Sequence, residues 1–403
     1  MTYAAREGGV SADSRHDRPQ GRLRAGGDRA AAGAARPRRP ALRLKRSVDL
    51  FAARDGALYL LQSGMDDFEV TDPSAADRAL LERLRDGFAE ADELAGLAAP
   101  LGMNRDGVHQ TLAVLEEHGL VERADAEPLL DDADRERYDR QLIYFADVAP
   151  AGLSAAEMQR RLLSSRVLLL GCGGLGSWTA SALACAGVGA LTLVDDDHVQ
   201  LSNLNRQILF SESDIGEIKV DAARAALGRN NSRTAIATVC RRIRCPEDLG
   251  PLLEGVDLLI STADWPAYEL PRWVNRACAA AGVPFITAGQ FPPLVRIGPL
   301  MVPGTSACLE CWERRLLREH PRFAEVTDHL DRSPSDAATL GAASGVVGSL
   351  LAMEAVHLLT GAMRPATLGR AHVLDLRSMQ TTSEEIHPDP GCPLCGALPA
   401  RET

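Results

Sequence analysis

The clearest structural signal in this chain is RVLLLGCGGLG, which runs from Arg166 to Gly176. Its apolar run predicts a buried strand, and the glycines directly after it predict a tight turn. A helix through Ser181–Cys185 is expected next. Glycines let backbone N–H groups approach phosphate, and a helix N-terminus adds partial positive charge. The stretch therefore predicts a nucleotide-binding loop, with candidate contacts at Gly171, Gly173, Gly174 and Gly176.

An acidic residue follows the loop at a characteristic distance. Asp195 lies 19 residues beyond Gly176 and closes the next apolar run, Leu191–Val194. A carboxylate at a spacing of about 20 residues is typical of one that binds ribose hydroxyls. The same pattern suits NAD or FAD, so it does not select a reaction. A tight turn without a ligand is the alternative interpretation.

A cluster of polar and cationic residues after Asp195 narrows the choice of ligand. The candidates are Asn203, Arg206, Gln207 and Lys219. Arg offers a planar fork to phosphate oxygens and Lys a mobile point charge, so the cluster favours a triphosphate over a dinucleotide. Asp264 follows another apolar run, Asp257–Ile260, and one carboxylate plus phosphates suits Mg²⁺ there. Alternatively, Arg206 and Lys219 are surface charges and Asp264 caps a helix.

Several motifs together carry a resemblance to a known family. They are Arg137-Tyr-Asp-Arg-Gln141, Gly171–Gly176, Asp195, Ser202-Asn-Leu-Asn-Arg-Gln207, Lys219, and Gly345-Val-Val-Gly-Ser349 with Ala352-Met-Glu-Ala355. Over about residues 135–397 the chain resembles the ThiF/MoeB family, the prokaryotic relatives of ubiquitin-activating enzymes. The resemblance implies an adenylyltransferase that uses Mg-ATP to activate a carboxylate, giving an acyl-adenylate and pyrophosphate.

The resemblance also implies roles for individual residues. Asp195 would bind the ribose, and Asn203, Arg206 and Lys219 the phosphates. Asp264 would hold Mg²⁺ and serve the transfer step, while Arg140 would reach into the site of a homodimeric partner. The family usually has Thr-Asp-Asn where this chain has Ala263-Asp264-Trp265. Trp265 is therefore expected to alter the wall of the substrate channel.

The cysteines form two knuckles, Cys308-Leu-Glu-Cys311 and Cys392-Pro-Leu-Cys395, separated by 80 residues. Four thiolates suit a closed, tetrahedral, structural zinc site. The ThiF/MoeB family carries a zinc there, and a redox pair is the alternative. No cysteine lies between Cys311 and Cys392, where a thioester-forming cysteine of this superfamily would be expected. Cys172, within the glycine loop, would be covered by ATP.

Residues 41–125 predict a separate small module. An Asp-Gly turn between apolar runs predicts a hairpin over residues 48–62, and apolar spacing predicts three helices and a returning strand. The helix Asn104–His118 has one Arg and no Lys, which makes a poor phosphate-binding face. The pattern is winged-helix-like and resembles the PqqD-like modules that bind leader peptides. A DNA-binding winged helix and a structural cap are the alternatives.

Composition sets the remaining boundaries. The chain has 403 residues, 45% of them hydrophobic, and a net charge of −11, so no general affinity for nucleic acid or membranes is indicated. Residues 1–40 carry nine Arg and predict a disordered tail, with a misassigned start codon or a basic nucleic-acid-binding tail as alternatives. Residues 126–136 predict an acidic linker. Neither a membrane span nor a signal peptide is expected, so a cytoplasmic location is predicted.

The sequence therefore predicts an α/β protein with a Rossmann-like, mostly parallel sheet over residues 137–397, with helices on both faces, preceded by a small winged-helix-like α+β module. The first functional hypothesis is adenylylation of a peptide carboxylate in the biosynthesis of a ribosomally made, modified peptide. The second is activation of a ubiquitin-like sulfur carrier for thiamine, molybdopterin or cysteine synthesis. A non-catalytic protein that presents a leader peptide and a dinucleotide-dependent oxidoreductase are alternatives of other classes.

Overall fold

The structure, a computed structural model, describes residues 40–62, 68–125, 128–333 and 338–396. The chain divides into two compact units, Met1–Ala126 and Glu127–Thr403. The predicted disordered tail lies outside the described residues, apart from Pro40. We call the two units the front unit and the α/β unit.

Within its described residues, the front unit has five strands and three α-helices. The strands are β1 (Leu42–Leu44), β2 (Val48–Ala52), β3 (Leu58–Gln62), β4 (Phe68–Val70) and β5 (Val121–Arg123), and the helices are α1 (Ala75–Asp86), α2 (Ala91–Ala98) and α3 (Arg105–Glu117). Strands β2, β3 and β4 form an antiparallel sheet, and β5 pairs with β1. The predicted hairpin, helices and returning strand are confirmed, although sequence reasoning missed β1 and β4.

Capping side chains set the helix boundaries in the front unit. Ser74 and Asp77 form a reciprocal capping box at the start of α1, and Asn104 caps α3 through the Gly107 N–H. The spacing of Leu80, Leu81, Leu84 and Phe88 in the sequence predicts that all four belong to the first helix, and for Phe88 this prediction is wrong. The helix ends at Asp86, and Phe88 packs instead beneath the Arg43 guanidinium, 4.5 Å from its ring centre.

The α/β unit is built on one eight-stranded sheet. Its strands are β6 (Arg166–Leu170), β7 (Ala190–Val194), β8 (Ala235–Val239), β9 (Leu258–Ser261), β10 (Phe285–Phe291), β11 (Leu294–Met301), β12 (Arg370–Asp375) and β13 (Gln380–Glu385). Their order is β13-β12-β11-β10-β9-β6-β7-β8. Strands β6 to β10 run parallel, and β11 to β13 add antiparallel strands at one side.

Nine α-helices are seen in the described part of this unit. They are α4 (Asp132–Arg137), α5 (Asp139–Val148), α6 (Ala155–Ser164), α7 (Gly174–Ala186), α8 (Lys219–Asn230), α9 (Glu269–Ala281), α10 (Leu309–Glu319), α11 (Phe323–Arg332) and α12 (Gly341–Thr360). Two buried apolar clusters flank the sheet, one involving α7, α8 and α12 and the other α9 and α10. The predicted doubly covered, mostly parallel α/β fold is confirmed.

Helix α12 is long and apolar enough to cross a membrane, but its most apolar window is 61% buried within the unit. It packs on α7, where Gly348 permits close approach. A Cβ there would lie 2.6 Å from the Trp178 Cβ. Core packing therefore accounts for the apolar character of this helix.

The segment predicted to be a linker is partly helical. Helix α4 begins at Asp132 because the Asp131 side chain accepts from the Asp134 N–H. Arg233 then forms ion pairs with both Asp131 and Asp134. These contacts attach the second half of the segment to the α/β unit.

Candidate active site

The glycine loop joins β6 to α7 in a conformation that side chains would obstruct. Gly171 has φ of +95°, and a Cβ on it would lie 2.6 Å from the Ala263 nitrogen. A Cβ on Gly176 would lie 2.0 Å from the Gly171 carbonyl oxygen. Helix α7 starts at Gly174 without a side-chain cap, so its first N–H groups remain available to an anion.

Asp195 is tied to this loop by backbone hydrogen bonds. Its Oδ2 accepts from the Cys172 N–H at 2.7 Å, and its Oδ1 accepts from the Asp197 N–H at 2.9 Å. Burial raises the pKa of Asp195, while Lys219 and these N–H donors oppose that shift. The carboxylate is thereby fixed at the end of β7, next to the loop, as the sequence predicted.

Lys219 is buried beside the same carboxylates. Its side chain is 7% exposed, and its Nζ donates to the Asp197 Oδ2 at 2.8 Å. The carboxylates of residues 195 to 197 cluster within 4.8 Å, but Asp196 pairs with Arg242 at 2.9 Å and Asp197 with Lys219. Nearby cations therefore offset the repulsion within this acidic cluster.

Arg206 and Gln207 lie against the glycine loop from another direction. A Cβ on Gly174 would lie 3.4 Å from the Arg206 Cγ and Cδ, and the Arg206 Nη1 donates to the Ser202 carbonyl at 2.8 Å. Gln207 is 2% exposed, and its Oε1 has no hydrogen-bond partner within the described residues. The Gln207 amide therefore has unused hydrogen-bonding capacity next to the glycine loop.

Asn203 has a supporting position. Its Oδ1 accepts from the Gln200 N–H at 3.0 Å, and its carbonyl accepts from the N–H groups of Arg206 and Gln207. These bonds close the turn that presents both side chains to the loop. The side-chain oxygen of Asn203 is thus already engaged in the turn, and its amide nitrogen is the side-chain group that could donate to a ligand.

Asp264 follows β9 at the same edge of the sheet. Thr262, which sequence reasoning did not single out, donates through Oγ1 to the Gly171 carbonyl at 2.8 Å. The Ala263 N–H donates to the Leu170 carbonyl at 2.9 Å. These bonds place the exposed Asp264 and Trp265 next to the end of β6, where the glycine loop begins.

Arg140 is not in this site within one chain. It lies at the start of α5, and its side chain is 91% exposed. One residue away, the Gln141 Nε2 donates to the Ala186 carbonyl at the C-terminal end of α7. The glycine loop is at the other end of that helix, roughly 20 Å away along a 13-residue helix. Any contact between Arg140 and the loop would require a second chain.

Ser344 borders the loop and is hydrogen-bonded to two further polar residues, and sequence reasoning missed all three. Gln290 donates through Nε2 to the Ser344 Oγ at 3.1 Å and accepts from the Thr339 Oγ1 at 2.7 Å. The Ser344 Oγ is 3.0 Å from where a Gly174 Cβ would be. These residues come from β10, α12 and the segment before α12, so only the tertiary fold brings them together.

The four cysteines of the two knuckles converge. Neighbouring Sγ atoms lie 3.9 Å apart for Cys308 and Cys311, 3.6 Å for Cys308 and Cys392, and 3.3 Å for Cys311 and Cys395. All four lie within 4.8 Å of one another. Zinc–sulfur bonds of about 2.3 Å give tetrahedral edges of roughly 3.8 Å, so the spacing fits one zinc ion.

The glycine loop itself offers no reactive thiol. Cys172 is buried, and desolvation raises the pKa of its thiol, with Asp195 acting in the same direction and Lys219 against it. A neutral thiol is a poor nucleophile, so Cys172 serves packing rather than covalent chemistry.

Comparison with known proteins agrees with this geometry. A profile of the ThiF family matches residues 138–394. The chain belongs to the ThiF family. Among its relatives, the Escherichia coli sulfur carrier protein ThiS adenylyltransferase is 35% identical, covering 66% of this chain and 97% of the relative. The E. coli molybdopterin-synthase adenylyltransferase is 34% identical, covering 66% and 98%. The ThiF-family prediction made from the motifs is thereby confirmed.

Solved structures share the fold of this ThiF-family protein. E. coli MccB, crystallised with ATP, matches with a TM-score of 0.71 at 23% identity, covering 88% of this chain and all of MccB. PaaA matches with a TM-score of 0.67 at 24% identity, covering 85% and 99%. Both matches span more of the chain than the α/β unit contains, so they extend into the front unit.

Proposed function

We propose that this ThiF-family protein uses Mg-ATP to adenylylate the C-terminal carboxylate of a peptide or small carrier protein. The proposal is carried by two cations: Arg206 packs on Gly174 of the glycine loop, and buried Lys219 pairs with Asp197, two residues from the Asp195 that bonds the loop. A dinucleotide-dependent oxidoreductase has no use for these cations. Retention of Asp195 and Asp264 beside them also argues against a protein that only presents a peptide.

The chemistry follows from these groups. A carboxylate, with an ordinary pKa of about 3.5, is ionised at neutral pH and needs no general base. Its oxygen attacks the α-phosphorus of ATP, and the bond to the β-phosphate oxygen breaks. Pyrophosphate leaves with the electron pair, and an acyl-adenylate remains. Lys219, Arg206 and the N–H groups of α7 reduce the repulsion between the two anions.

Asp264 is the residue suited to Mg²⁺. Its carboxylate is exposed and forms no ion pair with another described residue, so it is available as a ligand. Mg²⁺ commonly binds one or two carboxylates together with phosphate oxygens. When bound, the ion would neutralise charge on the transferring phosphate.

The cysteine cluster would hold a structural zinc. Four thiolates without an open ligand position make a closed site, which stabilises the fold rather than supplying catalysis. Cys392 and Cys395 follow the last strand, whereas Cys308 and Cys311 flank the start of α10. Zinc would therefore attach the C-terminal segment to the body of the α/β unit.

A second copy of the chain would complete the site. Helix α12 exposes the apolar stripe Val346, Leu350 and Met353, and the Tyr144 hydroxyl of α5 contacts the Met353 sulfur at 4.0 Å. Arg140 lies one helical turn before Tyr144, on the same face. If a second chain docks on this stripe, Arg140 would extend away from its own chain and toward the partner's site.

The front unit would recognise the substrate. Strand β2 pairs only with β3 among the described strands, which leaves one edge to which an extended peptide can add. This favours a leader peptide and hence a role in modified-peptide biosynthesis. MccB, named a microcin C7 biosynthetic enzyme, was also solved with N-formylated MccA.

Activation of a ubiquitin-like sulfur carrier is the second candidate, because the ThiS and molybdopterin-synthase adenylyltransferases are similar in sequence. The cytoplasm would be the place of action.

The proposed function is tested by measuring pyrophosphate release. The acyl substrate is a pool of N-acetylated random pentapeptides with free C-termini. The wild type should release pyrophosphate when the pool, ATP and Mg²⁺ are all present, and Asp264→Ala should reduce the rate at least 100-fold. Equal rates in the two proteins would remove Asp264 from the site. Deleting residues 1–125 should leave activity on the short pool and abolish any preference for a longer precursor.

A further inference from the structure

Arg296 is a half-buried cation that has no anionic partner among the described residues. It lies on β11, and its Nε is shielded from solvent without a hydrogen-bond partner within the described residues. No carboxylate of the described chain forms an ion pair with it. Burial lowers the pKa of Arg296, with nearby Tyr268 acting in the opposite direction. A guanidinium held this way is costly for the fold, and a bound anion would relieve that cost.

Arg296 lies against an aromatic ring on one side and opposite a glycine on the neighbouring strand. Its guanidinium carbon lies 5.2 Å from the ring centre of Trp312 on α10, a cation–π contact. Gly289 is its cross-strand partner on β10 and has no side chain. A Cβ on Gly289 would lie 3.7 Å from the Arg296 Nη2 and 2.7 Å from the ring of the exposed Phe291.

The sheet register places Arg296 at the edge that carries the candidate active site. Thr287 of β10 pairs with Ser261, the last residue of β9, so Gly289 extends past β9 at the edge where Asp264 lies. Arg296, opposite Gly289, is therefore at that edge too, two strand spacings or roughly 10 Å from β9.

The order of the strands separates Arg296 from the triphosphate-binding cations. The glycine loop follows β6 and Asp195 follows β7, on one side of β9. Arg296 lies on β11, on the other side of β9. If the nucleotide binds at β6 and β7, the β10–β11 side of the sheet edge remains for the carboxylate that attacks it.

We propose that Arg296 binds a carboxylate of the acyl substrate and orients it beside Asp264. This inference rests on the proposed adenylyltransferase function and names a residue that the motifs did not indicate. The carboxylate belongs either to the reacting C-terminus or to an acidic side chain next to it. Arg296 would bind it through a charge-assisted, fork-like pair of hydrogen bonds. It would thus serve substrate positioning and not nucleotide binding.

The test measures pyrophosphate release by Arg296→Met, Arg296→Lys and the control Arg276→Met, an exposed arginine of α9. Three probes are used: the free-carboxylate pentapeptide pool, the same pool without Asp and Glu, and a C-terminally amidated pool as competitor. Loss of one partner of a shielded charge pair should raise the KM for the pool at least ~30-fold in Arg296→Met. The KM for ATP should stay within twofold, Arg296→Lys should recover part of the loss, and Arg276→Met should match the wild type.

The pool without Asp and Glu identifies the source of the carboxylate. An undiminished effect of Arg296→Met with that pool assigns the C-terminus, and a lost effect assigns an acidic side chain. An unchanged KM for both pools, or an equal rise in the KM for ATP, would overturn the inference while wild-type activity upheld the proposed function. Should Arg296→Met fail to fold, competition in the wild type decides. Two results together would also overturn the inference. Free and amidated pools, both lacking Asp and Glu, would inhibit equally, and Arg296→Lys would keep full activity.

Discussion

Lys219 is paired with Asp197, whose Oδ2 accepts a hydrogen bond of 2.8 Å from the Lys219 Nζ. The lysine side chain is 7% exposed and the aspartate side chain 57% exposed. The aspartate thus screens the buried cation from the solvent side. In the proposed adenylylation, an incoming triphosphate would exchange with this carboxylate without moving the lysine, so the cation would be in place before ATP binds.

Replacing this lysine should selectively weaken nucleotide use. Lys219→Met keeps an unbranched side chain in the buried position but removes the charge. Because a hydrogen bond to a charged group contributes about 1.5–3 kcal/mol, the KM for ATP should rise roughly 10- to 100-fold. Pyrophosphate-release kinetics measure this, with Arg229→Met, an exposed cation of the same helix, as the control. Matching ATP kinetics in Lys219→Met and the control would exclude Lys219 from the nucleotide site.

Two glycines offer a matched test of the loop. Gly176→Ala places a Cβ 2.0 Å from the Gly171 carbonyl oxygen, whereas Gly228→Ala in α8 meets no atom within 4 Å. Overpacking typically costs about 1–3 kcal/mol, so Gly176→Ala should lower the free energy of unfolding and weaken ATP binding. Gly228→Ala should stabilise the protein by up to about 1 kcal/mol, because alanine favours helix. Chemical denaturation compares them, and equal stability of the two variants would show that the loop is not tightly packed.

Metal removal should release the C-terminal segment. The purified protein should contain one zinc per chain, and Cys392→Ser should lose it, because three thiolates bind zinc more weakly than four. Limited proteolysis should then cut the segment after β13 faster than in the wild type. Cys185→Ser, which changes an exposed cysteine, is the control and should retain the metal. Metal analysis that finds no zinc in the wild type would overturn the assignment of the four cysteines.

The buried Asp195 should give a pH-dependent stability difference. Since burial raises its folded-state pKa, its favourable contribution is fully present below the ordinary aspartate pKa of about 3.9. That contribution is lost as the pH rises through the folded-state pKa. Asp195→Asn does not titrate, so its melting temperature relative to the wild type should increase between pH 4 and pH 7. Lys219, Asp197 and Cys172 face this carboxylate and remain in both proteins. A difference that is constant with pH would contradict the raised pKa.

The sequence predicted those parts of the fold whose signal is local. Strands β6, β7 and β9 are buried on both faces and therefore read as apolar runs. Strand β13 was missed because Gln380–Glu385 is polar and mostly exposed at the sheet edge. Strand β1 was missed because it is only three residues long and gains its partner from β5.

The residues of the candidate site also divide into those with a local sequence signal and those without one. Several site residues lie in or directly after elements that could be recognised in the sequence, so their convergence follows from the order of the strands. They are the loop glycines, Asp195, Arg206, Lys219 and Asp264. Ser344, Gln290 and Arg296 depend on how β10, β11 and α12 pack, which no short motif encodes. Their residue types alone do not indicate a functional site, since Ser, Gln and Arg are common surface residues.

The path of an oxygen atom from substrate to AMP tests the proposed chemistry most directly. Wild-type protein, Mg-ATP and the free-carboxylate pentapeptide pool labelled with ¹⁸O in its carboxyl groups are incubated, and the AMP formed is analysed by mass spectrometry. If the carboxylate attacks the α-phosphorus, hydrolysis of the acyl-adenylate at its carbonyl leaves one labelled oxygen in AMP, and Asp264→Ala forms little or none. AMP without label, or ADP and phosphate as the products, would contradict adenylylation of a carboxylate.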